Sequence, residues 1–220
     1  MTRLLNSAIN YDSTEIPKAG AYQLFFKRAM DIIIVILMAP IAFVIIIPLA
    51  VITSFDGSGP FYWQKRIGFH GRIFYMLKLR SMVPNAENLL NRHLLSDPAA
   101  KREWDIAQKL KNDPRITKLG RFIRKTSIDE LPQLWNVFKG EMSIVGPRPI
   151  MQNQRKIYPG YKYFEMRPGI TGFWQVSERN ECSFSKRAHF DAEYHNKQSF
   201  LTDLMVMLKT VKVVMRATGV

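Results

Sequence analysis

The chain has almost no cysteine, and its acidic residues are far outnumbered by its basic ones. Cys182 is the only cysteine in 220 residues, so no disulfide can form within the chain. Such usage is typical of proteins that work in a reducing compartment. There are 18 aspartates and glutamates against 32 lysines and arginines, which gives a formal net charge of +14. A surplus of this size predicts an anionic partner: nucleic acid, anionic lipid or a phosphorylated substrate.

Three common motifs of nucleotide-binding proteins and hydrolases are also missing. The sequence contains no P-loop pattern, no glycine-rich dinucleotide fingerprint and no G-x-S-x-G turn. It has no internal repeat and no low-complexity segment. A chain of 220 residues corresponds to one ordinary domain, with or without an appendage.

One stretch of the chain carries no charge at all. Ile32 to Ile52 reads IIIVILMAPIAFVIIIPLAVI, 21 residues, long enough for a helix to cross a bilayer core of roughly 30 Å. The run is longer than the core of a cleaved signal peptide, and no small-residue cleavage site follows it. Pro40 and Pro48 interrupt the run, and a proline inside a helix removes one backbone hydrogen bond and bends the helix. We therefore predict a kinked membrane helix.

The residues that flank this run do not select an orientation. A single crossing normally has its basic residues on one side, whereas here they lie on both sides. A helix that enters the membrane and returns to the same face satisfies both flanks, and a plain single crossing is the alternative. The basic residues are Lys18, Lys27 and Arg28 before the run and Lys65, Arg66 and Arg72 after it.

The pattern divides the chain into a flexible tail over residues 1–22, the membrane helix over 23–53 and a mostly helical domain over 54–220. FHGR lies between two apolar stretches, which predicts a small β-hairpin. Helices are predicted from Ala86 to Lys111, with a break near Asp97, and again over 199–216. MSIVGPRPI and RPGITGFWQV predict short strands or loops. The expected fold class is α-rich α/β.

A short basic helix is predicted around TKLGRFIRKT. Leu119, Phe122 and Ile123 fall on one helical face, and lysines and arginines surround that face. This arrangement is typical of a helix that lies on a membrane surface. A helix that turns its apolar face to the core, with a solvated basic rim, is the alternative.

Two adjacent acids stand out in this basic chain. Asp129 and Glu130 lie in KTSIDELPQLWN, at the start of a predicted helix that ends near Gly140. Ser127 with Glu130 fits a capping box, whereas Pro132 favours Asp129 as the cap, and the sequence does not choose between these starts. With either start the two carboxylates lie at the positive end of the helix, where both can reach one site.

These residue types suit phosphoryl transfer. One carboxylate can attack phosphorus, as aspartate does in phospho-enzymes, and the other can hold Mg²⁺ against phosphate oxygens. Guanidinium groups bind phosphate in a bidentate manner, so Arg124 and Arg148 are predicted substrate-binding residues, with Lys78 and Arg80 as further ones. The plainer alternative is that the acids cap a helix and offset the basic residues nearby.

Five sequence blocks resemble a known family. They are KRAMD, QKRIGFHG, KLRSM, DPRITKLGRFIRKTSIDELPQLWNVFKGEMSIVGPRP and RPGITGFWQVSERN, in that order. Together they resemble the bacterial sugar transferases that act on polyprenyl phosphate, also called monotopic phosphoglycosyl transferases. The resemblance extends over nearly the whole chain from about Phe26, and it is strongest to the short exopolysaccharide-initiating members of ExoY type.

The resemblance implies an enzyme of defined chemistry. Members transfer a sugar 1-phosphate from a UDP-sugar to undecaprenyl phosphate, release UMP and require Mg²⁺. The implied route is ping-pong, through a phosphosugar–aspartate intermediate, and it begins an exopolysaccharide or another surface glycan. Galactose and glucose are the sugars expected from the ExoY-type resemblance. The implied location of the domain over 54–220 is the cytoplasmic face of the bacterial inner membrane.

The resemblance also assigns roles to residues of this chain. Asp129 matches the nucleophile and Glu130 the metal-associated acid, while Arg124, Arg148 and Lys78 match residues that handle phosphates. The family's membrane helix is re-entrant and kinked at a Ser-Pro pair. This chain departs from that pattern with Ala39 before Pro40, and with Glu178 in SERN where the family has glycine.

The expected partners are thus a UDP-sugar, undecaprenyl phosphate and membrane lipid, with no nucleic acid and with a homodimer left open. Two other classes compete with the enzyme. A nucleic-acid-binding protein would account for the charge but has no need of the apolar run from Ile32 to Ile52, and it would bind DNA with a strong dependence on salt. A membrane scaffold would use the basic helices for lipid alone and would not need Asp129.

Overall fold

The computed structural model describes residues 20–55, 58–107, 110–177 and 184–215. Within these ranges the fold is mostly helical, with a small antiparallel sheet and an N-terminal apolar helix, as the sequence predicted. The α-helices are α1 Lys27–Ser54, α2 Ala86–Ser96, α3 Pro98–Ala107, α4 Lys118–Lys125, α5 Leu134–Lys139, α6 Phe173–Val176, α7 Arg187–Lys197 and α8 Phe200–Met215. The strands are β1 Phe61–Ile67, β2 Ile73–Leu79, β3 Ser143–Val145 and β4 Gly169–Thr171.

Several short helical segments connect these elements. The one that matters for the site is the 3₁₀ helix Ile128–Gln133, which runs directly into α5. The others are a π-helical turn at Tyr22–Phe26 and 3₁₀ turns at Phe69–Gly71, Gln152–Ile157, Lys162–Glu165 and Phe184–Lys186.

Helix α1 contains the apolar run and is continuous through Pro40 and Pro48. Its 28 residues are long and apolar enough to cross a membrane by length and composition. Most of its large side chains are exposed, which is what a helix surrounded by lipid requires. The most exposed of them include Ile36, Leu37, Phe43 and Val44.

The predicted β-hairpin is confirmed. β1 and β2 pair antiparallel in a register that joins Ile67 to Ile73 and Tyr62 to Lys78. The turn between them needs two successive residues at positive φ, +54° at His70 and +75° at Gly71, and glycine accepts this conformation without strain. The HG pair of FHGR therefore sets the register of the hairpin.

The predicted break between two helices is also confirmed. α2 ends at Ser96 and α3 begins at Pro98, because the residue between them caps the second helix. Asp97 Oδ1 accepts hydrogen bonds from the amides of Ala99 and Ala100, at 2.8 and 3.1 Å. Pro98 needs no backbone donor at the first helical position.

Strands β3 and β4 pair in parallel, a pairing that local pattern did not reveal. Glycines permit the close approach of the two segments. A Cβ added at Gly169 would lie 2.1 Å from the amide nitrogen of Gly146, and one at Gly146 would lie 2.4 Å from the carbonyl oxygen of Arg167. The two strands therefore hold the Pro-Arg-Pro segment that follows β3 against the rest of the domain.

Buried polar contacts join the start of α1 to the domain. Lys27 Nζ lies 2.6 Å from Asp203 Oδ2 on α8 and donates to the carbonyl oxygen of Val145 at 2.9 Å. Asp203 is fully buried and also accepts hydrogen bonds from the hydroxyls of Tyr22 and Tyr194, at 2.7 and 2.6 Å. The buried charge is thus paired and hydrogen-bonded on several sides, which is the condition for tolerating it in a core.

The basic helix α4 follows the core-facing alternative in part, and its contact with a membrane stays a prediction. Ile123 is fully buried, so part of the apolar face packs into the core, whereas Phe122 is half exposed. Thr117 caps the helix by accepting a hydrogen bond from the amide of Gly120 at 2.8 Å.

Candidate active site

The Asp129–Glu130 pair lies in the first turn of the 3₁₀ helix Ile128–Gln133. The predicted capping box with Ser127 is wrong: Ser127 precedes the helix, but its side chain makes no capping bond. Its backbone is left-handed, with φ +57°, whereas a capping serine normally has extended backbone angles that bring its hydroxyl over the first turn. The sharp turn at Ser127 directs the chain from α4 into the acidic pair.

Asn136 fixes this helical segment against the hairpin. Its side chain donates to the carbonyl oxygen of Tyr75 at 2.7 Å and accepts from the amide of Leu77 at 2.9 Å, so it occupies the free edge of β2 as a neighbouring strand would. Asn136 is fully buried. Because α5 continues the 3₁₀ helix, this pair of bonds holds the two acids beside the end of β2.

Lys78, near the end of β2, contacts both acids. Its Nζ lies 3.5 Å from Asp129 Oδ2 and 3.2 Å from Glu130 Oε1. Both carboxylates therefore point towards the same ammonium group, although adjacent residues of a helix normally point in different directions. The side chains of Asp129 and Glu130 are only 11% and 14% exposed, so this cluster of charges is held largely away from water.

Burial and the neighbouring charges shift the pKa of the Asp129 carboxyl in opposite directions. Burial raises the pKa of its carboxyl above the ordinary value, and the Lys78 ammonium acts against this. The charge of Glu130 raises the pKa further, while Arg124 and Arg148 lower it. Desolvation makes a carboxylate a stronger nucleophile than it is in water, and the nearby cations favour its ionised form.

Arg148 and Arg124 approach the acids from different elements. Arg148 NH1 lies 3.5 Å from Glu130 Oε1, and its guanidinium stands over the ring of Trp174, 5.8 Å from the centroid. Arg124 on α4 donates from Nε to the hydroxyl of Ser81 at 2.9 Å. Desolvation lowers the pKa of Arg124, which stays a cation because arginine titrates far above neutrality.

Gly120 explains how Arg124 comes so close to the strand side of the site. A Cβ at this position would lie 1.9 Å from the carbonyl oxygen of Ser81, so only glycine lets α4 pack against the segment after β2.

The fourth predicted phosphate ligand, Arg80, lies in a different place. Its guanidinium donates to backbone carbonyl oxygens of Thr53 at 2.8 Å, Gly59 at 2.7 Å and Ser58 at 3.2 Å. These carbonyls belong to the end of α1 and the segment after it. The structure thus brings Lys78, Arg124 and Arg148 together around the acids, while it gives Arg80 contacts with the end of the apolar helix.

Arg66 is a residue of this site that sequence reasoning did not identify as functional. It lines a cavity open to solvent together with Lys78, Glu130 and Arg148. Side chains along a strand alternate between its two faces, and this alternation could have identified Arg66. Arg66 pairs with the buried Phe74, so it lies on the buried face of β1. Glu178 and Cys182 fall outside the described residues.

The donor set fits a magnesium ion. Within the described residues no group of three or more His, Cys, Asp and Glu side chains lies together. Mg²⁺ needs only one or two protein carboxylates when substrate phosphates supply other oxygens. Glu130 and Asp129 are adjacent carboxylates in a polar cavity rich in phosphate-binding cations, and they are the residues that would hold the ion.

A family model described as "Bacterial sugar transferase" matches residues 22–217, which include every element of this site. The chain belongs to this family. Helix α1, the hairpin, the acidic pair and the Pro-Arg-Pro segment are thus parts of one family domain.

Curated relatives agree with this assignment. The chain is 46% identical over 197 residues to a "UDP-galactose-lipid carrier transferase" of Erwinia amylovora and equally to an "Undecaprenyl-phosphate galactose phosphotransferase" of Salmonella typhimurium. These matches cover 89% of this chain but 41% of each relative, so the chain spans about two fifths of their length. It is 40% identical over 196 residues to the "Exopolysaccharide production protein ExoY" of Sinorhizobium fredii, with 88% of this chain and 87% of the relative covered.

Proposed function

We propose that this protein transfers galactose 1-phosphate from UDP-galactose to undecaprenyl phosphate, releases UMP, and so begins the synthesis of an exopolysaccharide or another surface glycan. The reaction class and the sugar are supported by the names of the two relatives that are 46% identical, and the glycan by the ExoY relative. Glucose is the alternative sugar.

The observation that carries the proposal is the contact of one lysine with both acids. Lys78 Nζ lies within 3.5 Å of Asp129 and Glu130, and Arg148 lies on the other side of Glu130. Helix capping alone requires neither burial of the acids nor convergence of cations on them. A nucleophilic carboxylate next to a second acid, in a cationic cavity, is what covalent phosphoryl transfer requires.

In the first half-reaction Asp129 attacks the phosphorus that carries the sugar. A bond forms between a carboxylate oxygen of Asp129 and this phosphorus, and the bond from phosphorus to the bridging oxygen breaks. The electron pair leaves with that oxygen on UMP. Lys78, Arg124 and Arg148 neutralise the negative charge that spreads over the phosphate oxygens.

In the second half-reaction a phosphate oxygen of undecaprenyl phosphate attacks the same phosphorus. The new phosphorus–oxygen bond forms as the bond to Asp129 breaks, which regenerates the carboxylate. When bound by Glu130 and Asp129, Mg²⁺ supplies further neutralisation of phosphate charge. Burial of Asp129 excludes water from the acyl phosphate, so the sugar phosphate reaches the lipid and is not hydrolysed.

Contacts at both ends of α1 support a re-entrant membrane helix. At its start, Lys27 bonds to Val145 and Asp203 of the domain; at its end, Arg80 of the domain bonds to the carbonyl of Thr53. A straight crossing would place these ends on opposite sides of a core roughly 30 Å thick. A water-soluble domain that contacts both ends would then have to lie on both sides of the membrane, so these contacts favour a helix that enters and leaves through the same face.

The charges around the apolar run support a location on the cytoplasmic face of the inner membrane. Basic residues flank both ends of the apolar run, and such residues favour the cytoplasmic side. The acidic pair then lies close to the membrane surface, where the phosphate of an undecaprenyl lipid is found.

The function is tested by measuring UMP release from the purified full chain. The assay contains Mg²⁺, undecaprenyl phosphate and either UDP-galactose, UDP-glucose or another UDP-sugar, and it is run beside Asp129→Asn. Release with UDP-galactose that is lost in the variant supports the proposal. Release with UDP-glucose alone replaces the sugar, and full turnover by Asp129→Asn rejects the covalent mechanism.

A further inference from the structure

Arg66 is a partly buried cation of the cavity, and it forms no ion pair with a carboxylate of the residues that the structure describes. Its NH1 donates to the carbonyl oxygen of Pro149 at 3.1 Å and its NH2 to Gln64 Oε1 at 2.5 Å. Its Nε is buried and has no hydrogen-bond partner within the part of the chain that the structure describes. Burying a guanidinium without a carboxylate is costly, unless an anion completes the site when substrate binds.

The hairpin register places Arg66 on the substrate side of the sheet. Arg66 pairs with Phe74, and Lys78 pairs with Tyr62 four positions along the same ladder. Residues two or four apart lie on one face of a strand, so Arg66 and Lys78 share a face, whereas Lys65 points to the other. The cavity that Arg66 and Lys78 line is also lined by Glu130 and Arg148.

Arg124 and Arg66 interact with different acids of the pair. Arg124 acts on Asp129, whose charge is the largest one that raises the pKa of this arginine. Arg66 is on the side of Glu130: burial, followed by the charge of Arg148, lowers its pKa to about 10, while Glu130 acts in the opposite direction. Arg66 therefore remains a cation at neutral pH. Asp129 is not among the residues that line the cavity.

The geometry of phosphoryl transfer assigns this cavity to the leaving group. The attacking and leaving oxygens lie roughly in line on opposite sides of the phosphorus. If Asp129 attacks from its own side, the bridging oxygen and the nucleotide phosphate lie away from Asp129, toward Arg66 and Arg148.

We propose that Arg66 binds the phosphate of the nucleotide that departs as UMP and stabilises the charge that this phosphate gains. The inference rests on the proposed function, because it assigns the leaving group of that reaction. As the phosphorus–oxygen bond breaks, the electron pair passes to the UMP oxygen, and the Arg66 guanidinium offers its unpaired Nε–H to that phosphate. In the second half-reaction the phosphate of undecaprenyl phosphate attacks from this same side, opposite Asp129, so Arg66 then faces that phosphate.

The test uses Arg66→Gln and Arg66→Lys in the full chain, with Lys65→Gln as the matched control. Lys65→Gln removes the same charge from the neighbouring position on the opposite face of β1. Three quantities are measured for each protein: UMP affinity by calorimetry in Mg²⁺, exchange of labelled UMP into UDP-galactose, and transfer from enzyme preloaded with sugar phosphate to undecaprenyl phosphate.

We expect Arg66→Gln to weaken UMP binding by about 10- to 100-fold, since a hydrogen bond to a charged group is lost. We expect UMP exchange to fall by about 100-fold, and transfer from the preloaded enzyme to fall as well, because the lipid phosphate attacks from the same side of the phosphorus. Arg66→Lys keeps the charge but loses the planar fork, so it falls between Arg66→Gln and the wild type. Lys65→Gln stays close to the wild type.

Three results would overturn the assignment. One is UMP affinity in Arg66→Gln equal to that of the wild type, and the second is a wild type that binds no UMP. The third is an equal loss of UMP affinity in Arg66→Gln and Lys65→Gln, which would indicate an unspecific effect of charge. A wild type that binds UMP through Arg66 but performs no exchange would reject the proposed covalent mechanism and keep the nucleotide site.

Discussion

Lys78 Nζ lies 3.5 Å from the Oδ2 atom of Asp129, and its ammonium is the strongest influence that lowers the pKa of this buried carboxyl. Because Asp129 must be ionised to attack phosphorus, the lysine has a second role beside neutralising phosphate. It keeps the nucleophile charged in a place where burial favours the protonated form.

Lys78→Gln should therefore shift the pH profile. With the ammonium gone, the already raised pKa of Asp129 rises further, and the acid limb of kcat/KM for UDP-galactose moves to higher pH. At the optimum we expect a rate loss of about 100-fold from lost charge stabilisation. Lys139→Gln, which removes a surface lysine paired with Glu141, is the control and leaves the limb in place. An unchanged acid limb in Lys78→Gln would contradict this role.

Glu130→Gln tests the metal assignment. The amide is a poor ligand for Mg²⁺, so the Mg²⁺ concentration for half-maximal UMP release should rise by about tenfold or more, with a lower maximal rate. Titration of Mg²⁺ in the release assay measures both. Glu193→Gln, at a surface glutamate paired with Lys197, is the control. If Glu130→Gln kept wild-type Mg²⁺ dependence, the ion would be held by other groups.

The re-entrant topology predicts the same accessibility for both ends of α1. Ala21→Cys and Phe55→Cys are placed singly in a Cys182→Ser background, which removes the native cysteine; both positions are exposed. A membrane-impermeant maleimide should label both in inverted membrane vesicles and neither in intact spheroplasts. Labelling of the two positions from opposite sides would establish a single crossing.

Asp203→Ala should destabilise the attachment of α1. This change leaves the buried Lys27 ammonium without its anion and removes the acceptor of two tyrosine hydroxyls. Breaking a buried pair on one side costs about 3–5 kcal/mol in free energy of unfolding. Thermal or denaturant unfolding in detergent micelles measures the difference.

The control for this experiment is Asp105→Ala on α3. Asp105 pairs with Lys101 at 3.1 Å, but both side chains are more than half exposed. An exposed pair contributes less than about 1 kcal/mol, so the two variants should differ clearly. Equal losses would show that the buried cluster is no more important than a surface pair.

Local sequence features predicted the elements whose cause is local. The hairpin follows from His70 and Gly71 at its turn, the helix break from Asp97 and Pro98, and the end of α5 from Gly140, whose φ is +82°. Each depends on a few neighbouring residues, so its signal is visible without tertiary structure.

Features that depend on distant contacts were not predictable in this way. The parallel pairing of β3 with β4 joins segments separated by more than twenty residues, and it depends on the contact of Gly146 with Gly169. The left-handed Ser127 has no local signal, because serine rarely adopts that conformation. Arg80 and Arg66 are both arginines of the hairpin region, and the sequence does not distinguish their roles. In the structure Arg80 contacts the end of α1, whereas Arg66 lines the cavity. Only the packing of the folded chain distinguishes the two residues.

The central claim is that Asp129 carries the sugar phosphate between donor and acceptor. The most direct measurement is the intact mass of the protein after incubation with UDP-galactose and Mg²⁺ but no undecaprenyl phosphate, followed by peptide mapping. We predict a mass increase equal to one hexose phosphate, located at Asp129, absent from Asp129→Asn and lost when undecaprenyl phosphate is added. UMP release and lipid product from a wild-type protein that never gains this mass would contradict the account and indicate direct transfer from donor to lipid.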